Sequence, residues 1–269
     1  MDYATDNITV YRFCEYGCRY CWAWRIPLFK SRIERGLYDP VEEAKKYLNK
    51  SGRIIVVSFT SDPYPPVEAV RQLTRKVLEI LARSRNRVLV LTKNPRLALR
   101  DYDVFASGYD MWIGTTVITL DTYIARQLEP RAPSPIGRLK ALKWMHDRQV
   151  KTWLSIEPII PYVTYPEDIV EATKDFIDWY VLGAFNYSER IMLPKVNNHI
   201  PDDGKFTRQE LAEWYGIHVK KAIELLESYG KKYYVKKELR RYLETCRIYM
   251  FAKENKMFEI CWHRKRNGG

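Results

Sequence analysis

Apolar positions gather in six short β-rich runs, at residues 8–13, 53–59, 87–92, 111–119, 151–156 and 179–184. Between them the spacing turns helical, or the connection is long enough to hold a helix. Regular alternation of strand and helix predicts a parallel sheet with helices packed on it. Two helix starts are marked by Asp39 before Pro40 and Ser134 before Pro135, each a capping side chain ahead of a proline at the first helical position. Behind them come amphipathic faces: Val41, Ala44 and Leu48; Val70, Leu73, Val77 and Ile80; Ile136, Leu139, Leu142 and Met145. After Ala184 the pattern becomes polar and turn-rich as far as Gly204. Thr207 with Glu210 then forms a capping box that opens a long helix, ended by Gly230.

The pattern predicts an α/β fold: a partial parallel (β/α)6 TIM-like barrel over residues 1–185, carrying a helical, basic C-terminal extension over residues 186–269. A length of 269 residues suits one large domain with an appendage, with no internal repeat to divide it. No apolar run approaches the ~18 residues of a membrane span, and the first residues lack the basic and apolar regions of a secretory signal, so a cytoplasmic protein away from membranes is expected. In a reducing compartment, thiolate ligation is favoured over a disulfide framework.

Charge sharpens the picture only in part. Lys and Arg number 45 against 33 Asp and Glu, a formal charge of +12. That suits a nucleic-acid or other polyanionic partner, and equally a charge-rich surface of the thermophile kind. The densest basic stretch holds Lys231, Lys232, Lys236, Lys237, Arg240 and Arg241 with Tyr233 and Tyr234 interleaved. It is expected to be exposed, where it would offer charge and stacking to a nucleic acid.

The chemistry concentrates elsewhere. Three of five cysteines fall within eight residues, Cys14-Glu-Tyr-Gly-Cys18-Arg-Tyr-Cys21, directly after the first predicted strand. A structural zinc site would ask for a fourth ligand, and no Cys or His stands nearby. Three thiolates on a cuboidal iron-sulfur cluster instead leave one iron open for a ligand, unlike a fully ligated cluster. Cys246 and Cys261, far apart and without paired spacing, are expected to be inert.

This loop after a first strand resembles the signature of radical S-adenosylmethionine enzymes. The resemblance implies a [4Fe-4S] cluster on Cys14, Cys18 and Cys21. It further implies S-adenosylmethionine bound through its amine and carboxylate to the open iron, reductive cleavage to a 5′-deoxyadenosyl radical, and an external electron donor of the flavodoxin or ferredoxin type. It places Tyr20 in the cofactor pocket, with a core tyrosine as the alternative.

Working residues of parallel barrels sit at the C-terminal strand ends. Those ends here are polar: Ser58-Phe59-Thr60-Ser61-Asp62-Pro63-Tyr64, Thr92-Lys93-Asn94-Pro95, Thr115-Thr116 and Ser155-Ile156-Glu157-Pro158. Ser61 and Asp62 are candidates for the amine region, Lys93 for the carboxylate, and Thr116 and Glu157 for the ribose, with Thr60 in the same cofactor-binding set and a loop or cap role as the alternative for each. Gly183, in Gly183-Ala184-Phe185-Asn186-Tyr187, joins the candidate cofactor-binding set.

Residues Thr60 to Tyr64, the Thr92-Lys93 pair, and Leu128-Glu129-Pro130-Arg131-Ala132-Pro133-Ser134-Pro135 with Arg138-Leu139 resemble the spore photoproduct lyase-like branch. In true members a cysteine just before the Thr-Ser-Asp turn donates a hydrogen atom; Phe59 stands at the matching position and cannot. Three functions stay open: a radical enzyme acting on a nucleic acid or another phosphorylated molecule, a radical enzyme modifying a protein or small molecule, and a non-catalytic iron-sulfur electron carrier.

Overall fold

The structure is a computed structural model and describes residues 2–23 and 39–245; Cys246 and Cys261 lie outside the described residues. Seven strands form one sheet in sequence order with every neighbouring pair parallel: β1 (Asp6–Ile8), β2 (Ser51–Val57), β3 (Arg85–Leu91), β4 (Asp110–Thr116), β5 (Lys151–Ile159), β6 (Trp179–Ala184) and β7 (Lys232–Val235). The sheet curls into a partial barrel with helices outside. Its strands read as unbroken apolar runs because both faces are covered. In β2, for example, Ile55 and Val57 join the core beneath the helices, whereas Ile54 and Val56 face the barrel interior with Tyr3, Leu89, Trp153, Trp179 and Val181.

Trp153 shows how tightly that interior is filled. Its indole Nε1 donates to the Val90 carbonyl at 3.1 Å. A Cβ added at Gly114, on the adjacent strand, would lie 2.5 Å from Trp153 Cε2 and Nε1. Only glycine lets the indole lie flat across β4.

The predicted helix starts form as expected. Asp39 caps Pro40–Lys45, Ser134 caps Pro135–His146, and Thr207 with Glu210 closes a full capping box on Arg208–Trp214. That last helix continues through a π-helical stretch, Tyr215–Val219, into Lys220–Ser228. The face assigned to residues 70–80 differs from expectation. Gln72 adopts a left-handed backbone (φ 50°) and splits the segment into Glu68–Arg71 and Leu73–Leu81. The break shifts the helical phase, so Val70 is exposed while Thr74, Val77, Leu78 and Leu81 are buried. Leu48 and Ile136 also face solvent.

Two further departures shape the mouth of the barrel. The run predicted as a strand over 8–13 leaves the sheet after Ile8. The backbone of Ser58 donates to the Ile8 carbonyl at 2.7 Å while the Ser58 hydroxyl accepts from Val10 N at 3.1 Å, turning the chain into the cysteine loop. The second departure is β7, which comes from the segment expected to be an exposed basic surface. Its pairing with β6 buries Tyr233 and Val235. The Tyr234 hydroxyl donates to the Asp2 carbonyl at 3.2 Å, and Lys236 is buried. The stretch is therefore split between a sheet edge and the helix Lys237–Thr245, with Tyr233, Val235 and Lys236 buried and Lys232, Lys237 and Arg241 still exposed. Because β1 and β7 are the two edges, Asp2, which also accepts from Lys237 N at 2.7 Å, bridges the gap between them. No helix among the described residues is long and apolar enough to cross a membrane.

Candidate active site

One cleft, open to solvent, lies over the C-terminal strand ends. Cys14, Cys18 and Cys21 line it, all three free and partly buried. From there the lining passes along the ends of β2 (Phe59, Thr60, Ser61, Asp62), β3 (Thr92, Lys93), β4 (Thr116), β5 (Ser155, Glu157) and β6 (Ala184, Asn186). The structure thus gathers the cysteines with Tyr20, Thr60, Ser61, Asp62, Lys93, Thr116 and Glu157 around one space. Gly183 is not part of the lining, because the Glu157 side chain lies across its bare Cα.

The cysteine loop is held from several sides. The Arg19 backbone donates to the Leu128 carbonyl at 2.8 Å, the Tyr16 hydroxyl to the Tyr64 carbonyl at 2.6 Å, and the Ser61 hydroxyl to the Tyr11 carbonyl at 2.5 Å. Tyr11 donates its hydroxyl to the fully buried Glu68, which also accepts from Thr74 N at 2.9 Å and so caps the helix Leu73–Leu81. Loop position is thereby tied to the outer helices. Burial pushes the Cys14 thiol up to about 12 and the Cys18 thiol up to about 11. Thiols this resistant to ionisation become thiolates when a metal centre supplies the positive charge.

Asp62 lines the cleft and takes the loop role left open as its alternative. It is buried, and both its oxygens are engaged: Oδ1 accepts from Tyr64 N at 2.9 Å and from the Thr92 hydroxyl at 2.6 Å, and Oδ2 from Lys93 N at 2.7 Å. Burial nevertheless holds its carboxyl above the usual range. Asp62 therefore splices the end of β2 to the end of β3 and fixes where Lys93 begins.

Beneath the cysteine loop runs a buried ionic network. Glu129 and Arg138, each about 1% exposed, form an ion pair. Arg138 also donates to the Pro133 carbonyl at 2.7 Å and the Thr116 carbonyl at 2.9 Å, so it binds the end of β4. Glu129 accepts the Tyr20 hydroxyl and stands 3.8 Å from Lys93 Nζ. Burial alone would raise the Glu129 carboxyl, but the charges of Arg138 and Lys93 and the hydrogen bonds from Arg138 and Tyr20 leave it below the usual range. Tyr20 thus presents its ring to the cleft and its hydroxyl to this network, where burial, Cys18 and Glu129 push the phenol upward.

At the far end of the cleft Glu157 is paired with Lys236, whose Nζ lies 2.7 Å from each carboxylate oxygen. The sequence reading missed Lys236 because its flanking lysines made it look like one more surface charge. The mouth between the two ends is aromatic: the Trp22 ring centroid is 5.9 Å from that of Phe59 and 6.4 Å from that of Tyr187.

The donor set fits an iron-sulfur cluster in chemistry and place. Three thiols line one end of a cleft, and among the described residues the lining supplies no imidazole that would complete a zinc site. A polynuclear cluster asks instead for one thiolate per iron.

Comparison with known proteins identifies the family and the fold. The chain is 32% identical over 182 residues to the uncharacterized protein MJ0683 of Methanocaldococcus jannaschii, covering 66% of this chain and 70% of that one. Its fold is similar to that of SuiB from Streptococcus suis, in a structure bound to S-adenosylmethionine, with a TM-score of 0.58 at 11% identity over 87% of this chain. The chain spans about half, 51%, of SuiB. It is also similar to a cysteine-to-serine mutant of spore photoproduct lyase, with a TM-score of 0.58 at 14% identity, over 85% of this chain and 75% of that one. The sequence model of the Radical SAM superfamily matches residues 8–177, and the chain belongs to that superfamily of enzymes, which perform radical chemistry with S-adenosylmethionine.

Proposed function

We propose that the protein is a radical enzyme that holds a [4Fe-4S] cluster on Cys14, Cys18 and Cys21 and cleaves S-adenosylmethionine in the cleft beside them. The observation that carries this reading is the single space shared by three free thiols and a continuous set of polar strand ends. An electron carrier has no use for such a cleft. When bound and reduced by an external donor of the flavodoxin or ferredoxin type, the cluster would supply the electron that breaks the sulfonium bond.

The chain's own residues would do the rest. Lys93, anchored by Asp62, offers an ammonium for the methionine carboxylate. Ser61 has already given its proton to Tyr11, which leaves its oxygen to accept from the amine. Thr116 and Glu157 face the ribose region, and Tyr20 supplies a ring wall. The aromatic mouth of Trp22, Phe59 and Tyr187, in a chain of charge +12, suits a substrate with stacked bases and phosphates. We therefore favour a nucleic acid over a peptide or small molecule.

The test is anaerobic incubation of iron-loaded protein with dithionite and S-adenosylmethionine. Formation of 5′-deoxyadenosine and methionine is expected, and absence of both from a loaded enzyme would favour the electron-carrier function. The substrate class is checked separately by binding of single-stranded and duplex nucleic acid across a salt series. No binding at low salt would direct the search to peptides or small molecules.

A further inference from the structure

We propose that Lys236 is a positioning residue of the cleft: it sets Glu157 to accept hydrogen bonds from the sugar hydroxyls of a bound nucleoside. The inference rests on the function proposed above and deepens it.

Three adjacent strand ends build the arrangement. Glu157, at the end of β5, lines the cleft with its side chain 20% exposed. Its side chain passes over Gly183 of β6, where an added Cβ would lie 2.5 Å from Glu157 Cδ and 2.6 Å from Cγ. Beyond that bare Cα it meets Lys236, just past β7, whose backbone N–H extends the sheet by donating to the Leu182 carbonyl at 2.9 Å. The Lys236 side chain is only 7% exposed. Its Nζ reaches both carboxylate oxygens and lies over the rings of Tyr3 at 5.6 Å and Phe59 at 5.3 Å. The ammonium therefore spans the seam between the last strand and the end of β2.

Chemistry gives this geometry a use. An ionised carboxylate has about four lone-pair sites, and an ammonium has three donors. Lys236 occupies one site on each Glu157 oxygen and fixes the plane of the carboxylate. A second site on each oxygen is left, which matches the two O–H donors of a vicinal diol. Without Lys236 the carboxylate would be a partly buried charge lacking its counter-ion, and it would turn toward water. Without the gap at residue 183 it could not reach Lys236 at all. A tie that merely closed the sheet would not need its acidic partner in the wall of the cleft.

The experiment compares the affinity of anaerobic, cluster-loaded protein for S-adenosylhomocysteine and for its 2′-deoxy analogue, by calorimetry. Wild type is expected to prefer the hydroxylated ligand roughly tenfold, the size of one hydrogen bond to a charged acceptor. In Lys236→Met and in Gly183→Ala the preference should fall to about twofold or less with iron content retained, and Lys236→Arg should restore part of it. Gly183→Ala reports on the same geometry with Lys236 intact, so it decides the matter if Lys236→Met does not fold. Retention of the tenfold preference in Gly183→Ala and Lys236→Met would overturn the proposal. So would a wild type that binds both ligands equally, an outcome that leaves the radical function standing. Failure of wild type to bind S-adenosylhomocysteine at all would instead overturn the functional proposal, and this one with it.

Discussion

Replacing Arg138 with methionine is the most informative perturbation of the scaffold. The side chain is about 1% exposed and makes three polar contacts: the Glu129 carboxylate and the carbonyls of Pro133 and Thr116. Methionine fills most of the volume and satisfies none of them. Glu129, fully buried, would be left with the Tyr20 hydroxyl and with Lys93 Nζ at 3.8 Å. Breaking a buried ion pair from one side costs about 3–5 kcal/mol. At about 2–4 °C per kcal/mol for a chain of this size class, the melting temperature should fall by roughly 10 °C. Thermal unfolding of the iron-free protein at neutral pH measures this.

Two internal controls sharpen the test. Adding Glu129→Gln to Arg138→Met removes the stranded charge, so the double variant should be more stable than the sum of the single effects implies. Because the Glu129 carboxyl is held below its ordinary value of 4.5 in the folded protein, the stability it contributes is present above that pH and is lost as the pH falls through the folded value. The gap between wild type and Arg138→Met should accordingly narrow in acid. A melting temperature within about 2 °C of wild type at neutral pH, or a gap independent of pH, would refute the role given to the pair.

Three other outcomes are expected. Gly114→Ala drives a methyl group into Trp153 and should cost about 1–3 kcal/mol by thermal unfolding, a loss that a smaller residue at position 153 would partly relieve. Asp62→Asn turns an amide N–H or a weaker acceptor toward Lys93 N and Thr92, so it should cost about 1–3 kcal/mol and loosen S-adenosylmethionine binding by calorimetry. Replacing Cys14, Cys18 and Cys21 together by alanine should reduce bound iron from about four per chain to a trace, measured by iron assay, since in the proposed cluster each thiolate would hold one iron.

Much of this was legible in the sequence, for identifiable reasons. The strands around Ile55, Val88, Ile113 and Leu154 are buried on both faces, so they announce themselves as apolar runs. The cysteine loop stands out by density alone. Residues whose meaning depends on distant partners did not show themselves. Lys236 looks like a surface lysine until β7 places it against Glu157, 79 residues earlier. Tyr233 and Val235 alternate as a strand should, but four residues flanked by lysines are too short a signal to separate from a basic tail. Glu129 and Arg138 become a pair only when the helix Pro135–His146 docks beneath the cysteine loop. Asp62 was correctly placed at the cleft, yet no pattern in the chain could reveal that Tyr64, Thr92 and Lys93 claim both its oxygens.

The central claim is that three thiols hold a cluster with one iron open to S-adenosylmethionine. Electron paramagnetic resonance of the dithionite-reduced, iron-loaded protein, recorded before and after addition of S-adenosylmethionine, tests it most directly. A reduced-cluster signal whose line shape changes when S-adenosylmethionine is added is expected, because the ligand would bind the open iron. A cluster signal that stays the same at saturating S-adenosylmethionine would contradict it.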